Sequence, residues 1–188
     1  LENNLISSRA LDNKVSVFIL TEVLKRLKGN TNNGVYVCPT VGEETTKRGA
    51  IFAAKMVNPT ISITLDVGSS SDVHYRNNEN REVSLGEGPI LTISSYGNHI
   101  LNKMLKDTAL KYNIKHQTVL EISKTWTDFD EVYKQNDGIP SELISIPLRY
   151  MHSNVEVASL DDVEYTVNLL VELIKSLKET DEYNRFKK

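Results

Sequence analysis

Two adjacent carboxylates, Glu43 and Glu44, are the side chains in this sequence whose type and position best suit chemistry. They lie between an apolar segment, 35–38, that predicts a buried strand and a segment, 47–57, that predicts a helix. Ligands of α/β proteins gather where strands end. Because neighbouring side chains at such a junction point in different directions, one carboxylate can bind a metal while the other handles a proton. An exposed acidic pair favoured by the helix dipole is the structural alternative.

Three further candidate ligands stand at comparable positions. Asp66 lies at the end of a predicted strand, 61–67, where an unpaired buried charge would be costly. His152 follows the predicted strand 143–147. Asp12 stands at the start of the first long predicted helix, where capping is the commonest use of aspartate. Mixed carboxylate and imidazole ligands suit zinc or cobalt, whereas magnesium favours fewer histidines.

The remaining histidines and the single cysteine have less to offer. We interpret His74, His99 and His116 as surface or capping residues, because they stand in polar surroundings or at a helix start. Cys38 falls in the predicted strand before Glu43. We therefore expect it to be a buried thiol in a reducing compartment, and not a nucleophile.

The bulk composition describes an ordinary globular protein. The 188 residues are enough for a single domain, 1–188, with a sizeable core. The 25 acidic and 22 basic residues give a net charge of −3, which lacks the basic excess of nucleic-acid or membrane-surface proteins. No apolar run approaches the ~20 residues of a membrane span, and the start lacks signal-peptide features. We predict a cytoplasmic location.

Strand and helix patterns alternate through most of the chain, which predicts an α/β fold. The predicted helices are 13–28, 47–57, 98–112, 128–135 and 160–178, and the predicted strands are 35–39, 61–67, 90–93, 117–122 and 143–147. The polar segment 69–88 is expected to be an exposed excursion and the charged tail 178–188 to be frayed. The expected architecture is a three-layer sandwich, with a mostly parallel mixed sheet flanked by helices.

Five short segments, taken in order, resemble the M42 family of metallo-aminopeptidases. They are residues 8–14, 40–44, 48–50, 65–67 and 149–153. The similarity extends from about residue 7 to residue 177. It implies a zinc-exopeptidase-like α/β fold and a peptide substrate. Some members of this family form tetrahedral dodecamers, so the resemblance also implies self-association.

The resemblance implies a site with two zinc or cobalt ions. Asp12 matches the carboxylate shared by both metals, and Asp66 matches a ligand of one of them. Glu44 and His152 match ligands of the other metal, and Glu43 matches the general base. Two metals about 3.5–4 Å apart need a bridging carboxylate, and the base must reach the water without binding the metals. An adjacent Glu pair, one bound and one free, meets both requirements.

This sequence also departs from the family pattern. It contains no His-x-Asp motif, which in the family lies upstream and completes the first metal site. The resemblance covers only the downstream part of the catalytic domain, without the dimerisation domain. An apolar face of the sheet would then be exposed, so we expect a homo-oligomer or a complementing upstream chain. Trp126 replaces a glycine near the substrate and would crowd the pocket. Gly42, Thr46 and Asn154 replace the usual Gln, Gly and Pro.

Two other functions compete with an aminopeptidase. One is a catalytically impaired or truncated relative that acts as a subunit or retains one metal. The weaker alternative is an endoglucanase-type glycoside hydrolase. Glycosidases need two carboxyl groups that face each other across the bond, about 5–9.5 Å apart. Glu43 and Glu44 cannot meet that requirement as sequence neighbours.

Overall fold

The computed structural model describes residues 1–73, 82–179 and 182–183, which form six strands and five helices. The strands are β1 (Leu5–Ser8), β2 (Ser62–Ser69), β3 (Ile90–Ser94), β4 (Gln117–Glu121), β5 (Ser141–Leu148) and β6 (Glu156–Ser159). The helices are α1 (Leu11–Leu27), α2 (Arg48–Val57), α3 (His99–Lys111), α4 (Phe129–Val132) and α5 (Leu160–Ser176). None of these helices has the length and apolar character needed to cross a membrane.

A four-stranded mixed sheet forms the centre, in the order β2-β5-β3-β4. β2 runs parallel to β5 and β3 parallel to β4, whereas β3 and β5 are antiparallel. β1 and β6 form a separate antiparallel pair. The structure thus confirms the mixed, mostly parallel sheet flanked by helices. β1 and β6 were not predicted from the sequence, because four residues are too few for an alternating pattern to be recognised.

The core lies between β5 and the two long helices. Every residue of β5 is buried, which is typical of a strand whose sheet is covered on both faces. Helix α1 contributes buried residues at four-residue spacing to the same core, namely Val15, Ile19, Val23 and Leu27. A smaller cluster joins α2 to α4 and consists of Ala50, Ala54, Val132 and Ile139.

The predictions for segment 35–39 and for Cys38 are wrong. The segment forms no strand, and it pairs with no strand in the part of the chain that the structure describes. Val35 and Val37 are partly buried, but Tyr36 and Cys38 between and after them are exposed. An apolar run predicted burial on both faces, whereas here only one face is covered.

The other predicted elements are found with small shifts of their ends. Helix α3 begins at His99, where the Asn98 side chain accepts bonds from two backbone N–H groups. The predicted helix 128–135 is reduced to the four residues of α4. Residues 74–81 of the predicted excursion, including His74, and residues 180–181 and 184–188 of the tail lie outside the described residues.

Ile144 tests how far the central strand supports the fold. It is fully buried and lies opposite Leu65 of β2 and Leu91 of β3. We expect Ile144→Ala to lower the free energy of unfolding by about 2–5 kcal/mol, because it leaves a cavity. Ile122→Ala, at a position 83% exposed, is the matched control and should change stability by less than about 0.5 kcal/mol. Equal losses in urea titrations would contradict the assigned core.

Glu142 is a buried carboxyl group within β5. It is 2% exposed, lies against Gly97 and accepts a long hydrogen bond from the Asn102 side chain (3.4 Å). Burial raises the pKa of Glu142 to about 8, and bonds from Asn102 and the Leu143 backbone oppose that rise only partly. Between its unfolded pKa and about 8, the folded state therefore holds a proton that the unfolded state has lost.

The stability that Glu142 contributes should consequently decrease as pH rises from about 4.5 towards 8. Glu142→Gln mimics the protonated form and should lose this dependence. The measurement is the difference in unfolding free energy between wild type and variant at pH 5 and pH 8. We expect the variant to gain stability relative to wild type at pH 8. A difference that does not change with pH would show that Glu142 keeps an ordinary pKa.

Candidate metal centre

The start of α1 is irregular and directs Asp12 away from a capping role. Asp12 and Asn13 have non-helical backbone angles, and the peptide bond between them is cis. The Asn13 side chain accepts a bond from the Ser16 N–H (3.3 Å), as a capping residue does. The Asp12 carboxylate instead contacts His152, with Oδ2 3.1 Å from Nε2.

A tight turn before α2 presents the two adjacent glutamates. Its geometry depends on Gly42, which has a φ of +77° and whose carbonyl oxygen accepts bonds from the backbone N–H groups of residues 45–47. Only glycine adopts such a φ without strain. The two side chains have different environments, because Glu44 is 63% exposed and Glu43 is 27% exposed. The turn thus separates the two carboxylates, as the sequence pattern suggested.

Three ligand-type side chains converge from three separate parts of the chain. His152 Nε2 lies 3.1 Å from Asp12 Oδ2 and 3.2 Å from Glu44 Oε1. One ligand atom from each of the three residues lies within 4.8 Å of the others, and this is the only such group in the described ranges. Two carboxylates and an imidazole match the ligands that bind zinc in catalytic sites, where a fourth position stays open.

Asp66 lies beside this group but is held differently. It is 7% exposed, and its Oδ1 accepts bonds from the Val67 N–H (2.8 Å) and the Asn13 side chain (2.9 Å). Burial, together with the nearby charges of Glu43 and Asp12, raises the pKa of Asp66 to about 7, and the bond from the Val67 N–H opposes this rise only partly. Asp66 therefore stands outside the three-residue group, although it lines the same cleft.

Glu43 has the environment of a proton acceptor. Its Oε1 is buried and has no hydrogen-bond partner among the described residues, and Lys47 Nζ lies 3.8 Å away. Burial raises the pKa of Glu43 to about 7; Lys47 opposes this rise, and the Glu44, Asp128 and Asp12 charges add to it. A carboxyl group with a pKa near neutrality can both take and return a proton.

The cleft that contains these residues has a volume of about 470 Å³. Trp126 is one of the residues that line the cleft and is 76% exposed; whether it crowds a bound substrate stays a prediction. The loop of Trp126 is fixed by Asp130, which accepts bonds from the backbone N–H groups of Thr125 and Trp126 (both 2.9 Å). Lys47 ties this loop to the glutamate turn through the Thr127 carbonyl oxygen (2.7 Å).

Sequence reasoning missed Lys47 and Asp130 as parts of the site. Lys47 Nζ lies 3.5 Å from Asp130 and contacts Glu43, four residues earlier in the chain. A Glu-to-Lys spacing of four residues near a helix start is a signal that could have identified Lys47. Asp130 had no comparable signal, because its contacts come from a distant loop and from its own backbone neighbours.

Comparisons with known proteins identify the family. The model of the M42 glutamyl aminopeptidase family matches residues 1–169. A candidate aminopeptidase of Acetivibrio thermocellus is 36% identical over 178 residues, covering 93% of this chain and 52% of that protein. A lysyl aminopeptidase of Pyrococcus furiosus is 30% identical over 171 residues, covering 91% of this chain and 49% of that protein.

The fold comparison agrees with the sequence comparison. The structure of an aminopeptidase from the archaeon Desulfurococcus kamchatkensis superimposes with a TM-score of 0.85 and 29% identity, covering 94% of this chain and 51% of that one. This chain thus spans about half the length of the relatives it matches. The family match over most of the chain confirms the resemblance: the chain belongs to the M42 glutamyl aminopeptidase family.

Proposed function

We propose that this chain carries the catalytic centre of a metal-dependent aminopeptidase, which removes N-terminal residues from peptides. The observation that carries the proposal is the convergence of Asp12, Glu44 and His152 within 4.8 Å, beside the buried Glu43. Family membership and the lysyl aminopeptidase of Pyrococcus furiosus support peptide hydrolysis as the reaction.

The described residues fit one complete metal position and part of a second. Asp12, Glu44 and His152 would hold one zinc or cobalt ion and leave a position open. Asp12 would also bind a second ion together with Asp66, as the family resemblance implies. When bound, two such metals polarise the attacking water and the scissile carbonyl group.

Glu43 is proposed as the general base. Its carboxylate takes a proton from the attacking water, whose oxygen forms the new bond to the scissile carbonyl carbon. The same carboxyl group then gives that proton to the nitrogen of the leaving peptide as the C–N bond breaks. Lys47, which donates a hydrogen bond to the Thr127 carbonyl oxygen, contacts Glu43 and helps to keep it in place.

The cleft suits an N-terminal residue better than a chain interior. The proposed metal ligands Asp12 and Asp66 line it, so the free amino group of an N-terminal residue would lie near the metals, whereas a chain interior has no such group. A volume of about 470 Å³ accommodates one side chain and the adjoining peptide bond.

The partner is proposed to be a second copy of this chain or a complementing upstream chain. β2 pairs only with β5 in the described part of the molecule, so its outer edge lacks a strand partner there. A free edge strand is a surface onto which another strand can pair. One observation favours the alternative function, a subunit without catalysis that retains one metal: among the described residues, the second metal would have only Asp12 and Asp66 as ligands.

Metal content tests the proposed ligands. We expect about one zinc per purified chain by elemental analysis, because the described residues complete only one three-ligand position. His152→Ala should lose this zinc, whereas His116→Ala, at a histidine that contacts the Ile114 carbonyl oxygen, should keep it. Zinc loss in neither variant, or in both, would contradict the assignment. A content near two would mean that another chain supplies further ligands.

Peptide hydrolysis tests the assigned base. With zinc or cobalt, the chain should release free N-terminal residues from a peptide panel but leave N-acetylated peptides intact. Glu43→Gln should lower kcat by about 10²–10⁴-fold while metal content is unchanged, because Glu43 moves a proton and binds no metal.

The assay is run on the chain alone and on the chain mixed with the other half of the Pyrococcus furiosus relative, since this chain spans half of that protein. Absence of release from every peptide in both forms would favour the noncatalytic subunit. Full activity of Glu43→Gln would remove Glu43 from the mechanism.

A further inference from the structure

Glu156 joins two of the three proposed metal ligands through a single buried carboxylate. It is 2% exposed. Its Oε2 accepts a hydrogen bond from the Asp12 backbone N–H, and its Oε1 accepts one from the His152 backbone N–H, both at 3.1 Å. The backbones of Asp12 and His152 are thus bonded to the two oxygens of one side chain, although Asp12 lies 144 residues before Glu156 and His152 only four.

The position of Glu156 is fixed by strand pairing. Glu156 begins β6 and lies opposite Ser8 at the end of β1, just before α1 and Asp12. The next residue, Val157, forms a bridge with Arg149 at the end of β5, just before the turn that carries His152. Glu156 therefore stands where the two chain segments that lead to the ligands meet.

Neither ligand is held by a regular element. Asp12 has non-helical backbone angles, and His152 lies in a turn with a φ of +61°. The side chain of His152 is also 62% exposed, so packing alone does not fix it. The two bonds to Glu156 link these two backbones directly.

We propose that Glu156 is a positioning residue of the metal centre. It acts on Asp12 and His152 through their backbone N–H groups and does not bind the metal itself. Residues that orient ligands in this way raise metal affinity, because the site is arranged before the ion arrives. The inference rests on the proposed function, since it assumes that Asp12 and His152 bind a metal.

The test is the zinc affinity of Glu156→Gln. Glutamine retains the size of the side chain, but its NH₂ group cannot accept a bond, so one of the two backbone N–H groups loses its partner. We expect zinc affinity to fall by about 10–100-fold, measured by competition with a chromogenic chelator. The visible spectrum of the cobalt-loaded variant should also shift, because the ligand geometry changes.

Asp162→Asn is the matched control. Asp162 is fully buried and likewise accepts two backbone bonds, from Gly86 (2.8 Å) and Gly88 (2.7 Å), but it does not line the cleft. This variant should lower Tm yet keep zinc affinity and the cobalt spectrum of the wild type. A purely structural role for Glu156 would give the same pattern in both variants.

The outcomes distinguish a failure of the proposed function from a failure of the positioning role of Glu156. If the wild type binds no zinc, the proposed function fails. If the wild type binds zinc and Glu156→Gln binds it equally well, only the positioning role is overturned. If Glu156→Gln does not fold, Glu156→Asp replaces it: the shorter carboxylate cannot reach both N–H groups, so affinity should again fall. Wild-type affinity in Glu156→Asp would then overturn the inference.

Discussion

The repulsion among carboxylates in one cleft is the constraint on which this structure depends. Asp12, Glu43, Glu44 and Asp66 all line it. Burial raises the pKa of Asp12, Glu43 and Asp66, and charges of neighbouring carboxylates raise each of them further. Like charges withdrawn from water are unfavourable unless protons or cations compensate for them. The proposed metals would supply that compensation, and Lys47 supplies part of it at Glu43.

The two adjacent glutamates, Glu43 and Glu44, lie in different local environments. Glu44 is 63% exposed and contacts the imidazole of His152 (3.2 Å). Glu43 is 27% exposed, and its buried Oε1 accepts no hydrogen bond from the described residues, although Lys47 Nζ lies 3.8 Å from it. The two side chains thus have the different environments that the proposed roles of ligand and base require. The turn at Gly42 accounts for this difference, because it places the Glu44 side chain at the surface and the Glu43 side chain in a more buried position.

Much of the fold was predictable because its elements are long and periodic. Helices α1 and α5 repeat apolar residues at helical spacing, and β2 alternates apolar and polar residues. The strand predicted for segment 35–39 was wrong, because an apolar run does not reveal that only one side of the segment is covered. The pair β1 and β6 is too short for periodicity to detect.

The candidate site was predictable to the extent that its residues stand at the ends of elements. Asp12, Glu44 and His152 were predicted to converge, and the structure brings them together. Glu156 had no signal in the sequence, because its partners are backbone N–H groups, and one of them belongs to Asp12, 144 residues away. Contacts of that kind depend on the tertiary pairing of β1 with β6, which local pattern does not encode.

X-ray absorption at the zinc edge of the zinc-loaded chain tests the central claim most directly, because it measures ligand type and distance together. The structure predicts one imidazole nitrogen and carboxylate oxygens, all at about 2.0–2.2 Å. A scatterer at about 2.3 Å would identify sulfur, and therefore the exposed Cys38, as a ligand. That result, or a shell of water oxygens alone, would contradict a metal centre formed by Asp12, Glu44 and His152.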